Sequence, residues 1–261
     1  MSAAPFEFDV WLSALPVLLI AATLTWLLSL PLRNVGIVDS LWSLMLFAAG
    51  VIYALGSDPR APRLSLVLWL LALWAARLSF YLTARSLGKD EDPRYQQLRA
   101  RHQPKFALKS LYLVFWLQAL LAWIISLPLL GAFASLEPLG WLDRLGAILW
   151  AVGFIFEALG DWQLARFKAK PASAGQVLDR GLWRYTRHPN YFGEACTWWG
   201  FFLIALAAGA WWAVPGPALI SWLLLRGSGV RGLAAGGGNP RPQYADYVLK
   251  TNAFFPGPPR K

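Results

Sequence analysis

Long apolar runs separated by short polar, basic connections set the pattern of the chain. Charges are absent from Val10 to Leu32, Ser40 to Leu55, Leu64 to Ala76 and Ala195 to Leu225, and a membrane span needs roughly 20 such residues. With polar residues admitted near the ends, the pattern predicts seven spans. They are Val10 to Leu32, Val35 to Leu55, Leu64 to Leu87, Leu108 to Leu130, Leu139 to Ala165, Pro189 to Gly209 and Trp211 to Leu225. The expected class is an all-α polytopic membrane protein. Short loops and the need to bury polar residues between spans predict a single transmembrane domain over 1–261, with a cytoplasmic, partly irregular tail from 227 to 261.

Composition strengthens this reading. At 57% hydrophobic residues and 15% charged, the chain carries more apolar surface than a soluble domain could hide. Cys196 is the only cysteine and there are two histidines, so neither a disulfide scaffold nor a metal cluster is expected. The first residues hold Glu7 and Asp9 but no Lys or Arg; they lack the basic region of a cleavable signal peptide, and the first span is expected to stay in the mature protein.

The net charge of +10 raises the question of nucleic acid until the basic residues are placed. Arg60, Arg63 and Arg144 fall on one side of the seven spans and Arg77 lies within the third, while the others gather on the opposite side. The positive-inside rule then puts the N-terminus outside and the C-terminus in the cytoplasm. Charge reports topology, and no nucleic-acid partner is expected. A literal G-x-G-x-x-G at Gly227, Gly229 and Gly232 follows an apolar helix with no strand before it, so it reads as a loop and not as a dinucleotide fingerprint.

Ionisable residues inside spans are costly and point to function or to pairing. Asp39, Arg77, Glu157, Asp161 and Glu194 all fall in the cytoplasmic half of their spans, as a polar cavity opening on that side would require. The densest stretch runs from Gly181 to Glu194. Pro189 suits a first helical position. The helix start it marks, flanked by Arg184 and Arg187, is a plausible place for a phosphate or carboxylate. Asn190, Glu194 and Trp198 recur every four residues and share one helical face. They could line a ligand or join two helices. Glu157, Asp161 and Lys168 share a face of the fifth span, where they could meet a ribose or amine or form a salt bridge. His188 could act as acid or base, or cap the helix.

The run Arg187-His-Pro-Asn-Tyr-Phe-Gly-Glu194, preceded by Gly181-Leu-Trp-Arg-Tyr185, resembles the signature of the steroid 5-alpha-reductase family, in particular its bacterial integral-membrane members. Glu91-Asp-Pro-Arg-Tyr95, Tyr244-Ala-Asp-Tyr247 and Thr251-Asn-Ala-Phe-Phe-Pro256 are similar to further pieces of that family. The resemblance implies NADPH as cofactor, and reduction of the C=C bond of a Δ4-3-oxo steroid or similar lipophilic enone by hydride transfer to the β-carbon. It assigns Asn190 and Glu194 to the nicotinamide, with Trp198 nearby. Further cofactor contacts are implied for Arg94, Asp161, Lys168, Arg184, Tyr185, Arg187, His188, Tyr191, Tyr244 and Tyr247. For the substrate carbonyl it implies an acid of the second span, here Asp39, kept protonated by burial. The partner tyrosine is implied three residues before Arg77, where this chain has Trp74; Tyr81, one turn on, is the nearest phenol. Asp39, Tyr81 and Glu194 are thus the expected catalytic residues. Leu233 to Asn239 replaces a segment that is charged and helical in the family. A monomer in a bacterial inner membrane, with its site towards the cytoplasm, completes the expectation.

Two other readings stay open. Arg-His-Pro-x-Tyr, at Arg187 to Tyr191, is also similar to the cofactor motif of membrane methyltransferases that act on lipids or prenylated substrates, which implies S-adenosylmethionine instead. A transporter or assembly protein would bind neither cofactor; the chain lacks the repeated halves of a transporter.

Overall fold

A computed structural model describes residues 3–173, 175–226 and 242–260. Its regular elements are helices, with no strand among the described residues. The helices are α1 (Phe8–Leu32), α2 (Ile37–Leu55), α3 (Arg63–Ser86), α4 (Pro93–Arg101), α5 (Phe106–Ser110), α6 (Leu117–Ile125), α7 (Leu127–Phe133), α8 (Trp141–Lys168), α9 (Pro189–Ala207), α10 (Pro215–Arg226) and α11 (Pro242–Lys250). Contacts divide the chain into two compact units. The first holds 1–140 and 205–216, and the second 141–204 and 217–261.

Among the described residues, four stretches are long and apolar enough to cross a membrane, which marks an integral membrane protein: Phe8–Leu32, Ile37–Leu55, Arg63–Ser86 and Phe106–Phe133. All belong to the first unit. Around α1, large side chains such as Val17, Ile20, Leu24 and Leu28 are exposed, as expected for a helix bathed in hydrocarbon. Its hydroxyls turn back on their own helix, Thr23 to Leu19 O and Thr25 to Ala21 O, so no donor faces lipid unpaired. Reciprocal hydroxyl bonds join α2 and α3: Ser43 donates to Ala75 O and Ser79 to Ser40 O, both at 2.9 Å. The fourth stretch is not one regular helix. A π-helical turn, Leu111–Trp116, separates α5 from α6, and Ser126 with Pro128 breaks α6 from α7. Tyr53 of α2 meets the Ser126 hydroxyl at that break, at 2.8 Å.

Trp11 and Trp123 lock α1 to α6. Each indole N–H donates to the other residue's main-chain carbonyl, and the rings stack 3.7 Å apart. Arg63, placed by the pattern in an outer loop, is instead the first residue of α3 and 2% exposed. Its guanidinium donates to the carbonyls of Glu137, Pro138 and Ala207, the last at the C-terminal end of α9, where helix polarity favours a cation.

In the second unit α8 and α9 approach backbone to backbone. A Cβ on Gly153 would sit 2.5 Å from the Gly193 carbonyl oxygen and 2.5 Å from the Thr197 nitrogen, so only glycine fits the crossing. The seventh predicted span differs most from expectation. Trp211–Ala213 forms a 3₁₀ turn and α10 begins only at Pro215. Its described part runs to Arg226. The glycines of the G-x-G-x-x-G and the segment Leu233 to Asn239 lie outside the described residues.

Candidate functional site

The Gly181–Glu194 stretch forms two elements, a 3₁₀ turn over Gly181–Arg184 and the start of α9 at Pro189. Proline opens α9 because its fixed φ suits a first helical turn and its missing N–H has no helical partner there. The close glycine crossing brings the first turn of α9 against α8. Asn190 therefore donates from Nδ2 to Asp161 Oδ1 at 3.1 Å, while Glu157 and Asp161 are both buried on α8. Glu194 and Trp198 follow on successive turns of α9, half-buried and fully buried. Arg187 precedes the helix, and its Nε is buried with no hydrogen-bond partner among the described residues. A buried guanidinium N–H left over in this way suits an anionic ligand.

The chain's last segment holds this motif from behind. Arg187 N–H donates to Asn252 O, Thr186 Oγ1 to Phe254 O, and Gly257 N–H to Tyr185 O, at 2.9, 2.8 and 3.0 Å. The His188 ring meets Ala253 O through Nδ1 at 2.9 Å and stacks on Tyr191. Burial lowers the His188 pKa, and the Arg187 charge adds to this against the opposing bond to Ala253. Tyr247 of α11 donates to Trp183 O at 2.5 Å, and burial pushes its phenol pKa up. Tyr244 lies beside it, ring to ring at 6.3 Å. Arg184, Tyr185 and Lys168 are exposed. The predicted cofactor residues from Asp161 to Tyr247 thus share the second unit.

Arg94, Asp39 and Tyr81 belong to the first unit instead. Asp92 caps α4, accepting the Arg94 N–H at 2.9 Å ahead of Pro93. That short helix presents Tyr95, whose phenol donates to Asp39 Oδ1 at 2.6 Å, and Arg94, whose Nη2 reaches Asp39 Oδ2 at 3.3 Å. Gln118 donates to the Tyr95 oxygen at 3.3 Å, one residue into α6 after the π-helical turn. Both Asp39 oxygens accept, one of them from a guanidinium. Tyr95 and Arg94 thus gather on the one carboxyl group of the second helix. Burial and the Asp39 charge both raise the Tyr95 pKa, so the phenol keeps its proton. Burial opposes the Arg94 charge, but Asp92 and Asp39 together raise its pKa.

Below this pair, Glu91 accepts two bonds from Arg99, at 2.9 and 2.8 Å, and one from Val35 N–H at 2.8 Å. Burial works against its charge, yet these donors win and lower its pKa. Arg99 also covers the Phe106 ring at 4.7 Å. Tyr81 stands apart on α3, half-buried, with Arg77 and Arg85 over its ring at 6.0 and 5.7 Å. Trp74 is fully buried. The sequence reading singled out the Glu91–Tyr95 and Thr251–Pro256 strings but gave Tyr95, Gln118 and Asn252 to Phe254 no role. The Asp-Pro pair before Arg94, a cap followed by a first-turn proline, was the available signal for α4.

The fold and the two polar clusters define a helical integral membrane protein with a part-buried amide–acid pair beside a basic helix entrance. By its sequence the chain belongs to the family described as "Protein of unknown function (DUF1295)", whose model matches residues 25–251. It is similar to an uncharacterized protein of the fission yeast Schizosaccharomyces pombe, 25% identical over 271 residues that cover 91% of this chain and 77% of that protein. No solved structure matches.

Proposed function

We propose that the chain is an NADPH-dependent reductase of the steroid 5-alpha-reductase type, which saturates the C=C bond of a Δ4-3-oxo steroid or a similar lipophilic enone. In this reading seven segments cross a bacterial inner membrane with the N-terminus outside, and the polar clusters face the cytoplasm. The observation that carries it is the Asn190–Asp161 pair at 3.1 Å beside the unpartnered Arg187 Nε. An amide, buried carboxylates and a spare guanidinium N–H suit a ligand with amide, hydroxyl and phosphate groups, and NADPH has all three. Asn190, Asp161, Glu194 and Arg187 would hold the cofactor, with Lys168, Arg184, Tyr244 and Tyr247 around it. Bound NADPH supplies the hydride.

The reaction also needs a hydrogen-bond donor for the substrate. Hydride addition at the β-carbon of an enone pushes charge onto the carbonyl oxygen, so a fixed donor there lowers the barrier. Loss of such a donor typically costs about two to three orders of magnitude in rate. The family resemblance gives that role to Asp39 or Tyr81, and the Tyr95 phenol, which keeps its proton, offers a further O–H beside Asp39. Gln118 offers an N–H at the same place. Water returns the final proton, and an apolar substrate arrives through the bilayer.

The test is a titration of the detergent-solubilised protein with NADPH and, separately, with S-adenosylmethionine, read as thermal stability. A ligand at 100 times its Kd adds about 2.7 kcal/mol to the folded state. Stabilisation by NADPH alone, lost in Asn190→Ala and Glu194→Ala, is the expected result. Stabilisation by S-adenosylmethionine alone would move the site to a methyltransferase and end the hydride proposal.

A further inference from the structure

The two nitrogens of His188 stand in different settings. Nδ1 lies 2.9 Å from the Ala253 carbonyl oxygen. A carbonyl only accepts, so Nδ1 carries the proton. A neutral ring protonated there leaves Nε2 with a bare lone pair, and Nε2 has no partner among the described residues. The ring cannot easily turn to exchange the two. Tyr191 stacks on it at 5.4 Å with 9° between planes, and His188 N–H donates to Thr186 Oγ1, itself bonded to Phe254 O. The adjacent Arg187 is pinned through its main chain to Asn252 while its buried Nε stays unpartnered.

We infer that His188 Nε2 is a fixed hydrogen-bond acceptor for a ribose hydroxyl of a nucleotide or nucleoside ligand, and that the Ala253 carbonyl sets this polarity from the C-terminal segment. An anionic group placed on the bare lone pair would be repelled, but it is attracted to Arg187 one residue away. A ligand that carries a hydroxyl a few bonds from a phosphate or carboxylate satisfies both residues. Ribose provides that arrangement in NADPH and in S-adenosylmethionine alike, so the assignment rests on a nucleotide occupying this motif and not on which chemistry follows. His188 is a binding and positioning residue here, with no part in hydride or proton transfer.

Two substitutions separate the two nitrogens. His188→Asn places an amide N–H where Nδ1 lies and keeps the bond to Ala253, but removes the Nε2 acceptor. His188→Gln carries a carbonyl oxygen towards the Nε2 position and gives up the Ala253 bond. The full chain in detergent is labelled with ¹⁵N-histidine for NMR, and Kd is measured for NADPH and for S-adenosylmethionine. The expected spectrum shows His188 protonated at Nδ1 and bare at Nε2, with the Nε2 signal moving when the nucleotide is added. For whichever nucleotide binds the wild type, His188→Asn weakens binding about three- to tenfold with the fold retained, the worth of one neutral hydrogen bond. His188→Gln loses less affinity and more thermal stability. An Nε2-protonated ring, or His188→Asn binding as tightly as the wild type, overturns the inference while leaving an NADPH site intact. Binding of S-adenosylmethionine alone, weakened in His188→Asn, overturns only the reductase reading. Binding of neither by the wild type overturns both.

Discussion

The Glu91–Arg99 segment and the Tyr185–Phe192 segment are both short polar stretches beside apolar helices, and each carries a cluster of charged and aromatic side chains. They are held by different kinds of bond. In the first unit, side chains hold side chains: Glu91 to Arg99, Asp39 to Tyr95 and Arg94, Asp92 to Arg94. In the second, the tail holds the motif largely through its main-chain carbonyls and one N–H, at Asn252, Ala253, Phe254 and Gly257. A side-chain clasp depends on residue identity, salt and pH. A main-chain clasp depends on the path of the chain, and it leaves the side chains of the motif itself available for a ligand.

The largest effect that separates the two is removal of the tail. A chain ending at Lys250 loses the bonds from Asn252, Ala253, Phe254 and Gly257 together, and the expected cost is more than about 3 kcal/mol. Ala253→Ser, which alters only a side chain, should stay within about 0.5 kcal/mol of the wild type. Thermal unfolding in detergent measures both, and a large loss in Ala253→Ser would break the comparison. Next in size is Glu91→Gln, which leaves the Arg99 guanidinium without its charged partner and should cost about 2 kcal/mol. Tyr95→Phe removes one bond to Asp39, about 1 kcal/mol.

Acid should act on the two regions in different windows. The Glu91 pKa is lowered from 4.5. Its contribution is full above that value and fades as pH falls through the lower folded pKa. The His188 pKa is lowered from 6.5, so below that pH the unfolded chain takes up a proton that the folded chain refuses, and stability declines. Stability curves of Glu91→Gln and His188→Asn against pH should flatten in the lower and the upper window respectively. The smallest effect is that of salt. Arg94 and Asp39 have side chains 47% and 23% exposed, so raising salt to about 1 M, where the Debye length is about 3 Å, should weaken this pair by less than about 1 kcal/mol and leave the tail clasp unchanged.

Much of the helical pattern was legible because apolar runs of span length have few other uses. The first four spans agree with the structure to within a few residues, apart from the irregular start of the fourth. Their interruptions were not legible: nothing in the composition of Leu111–Trp116 distinguishes a π-helical turn from an α-helix. The start of α10 was not legible, because Trp211 and Trp212 look like a continuing apolar run, while Pro215 and Pro217 set the helix start. Within the candidate site, Asn190 and Asp161 could be marked as polar residues in apolar segments, but their pairing depends on how closely Gly153 and Gly193 let two backbones approach. The partner of Asp39 lay 56 residues away in a loop, beyond the reach of helical periodicity. Bonds to main-chain carbonyls, such as that of His188 to Ala253, leave no mark on residue type at the accepting position.

The mutual Trp11–Trp123 pair also gives the first unit an optical handle. Two indoles stacked 3.7 Å apart with planes 13° from parallel are close enough for their transitions to couple, so the pair should add its own bisignate feature to the ultraviolet circular dichroism. Subtracting the spectrum of Trp11→Phe isolates that feature from the other tryptophans. Its disappearance on heating would report the moment α1 leaves α6, with no label added to the protein.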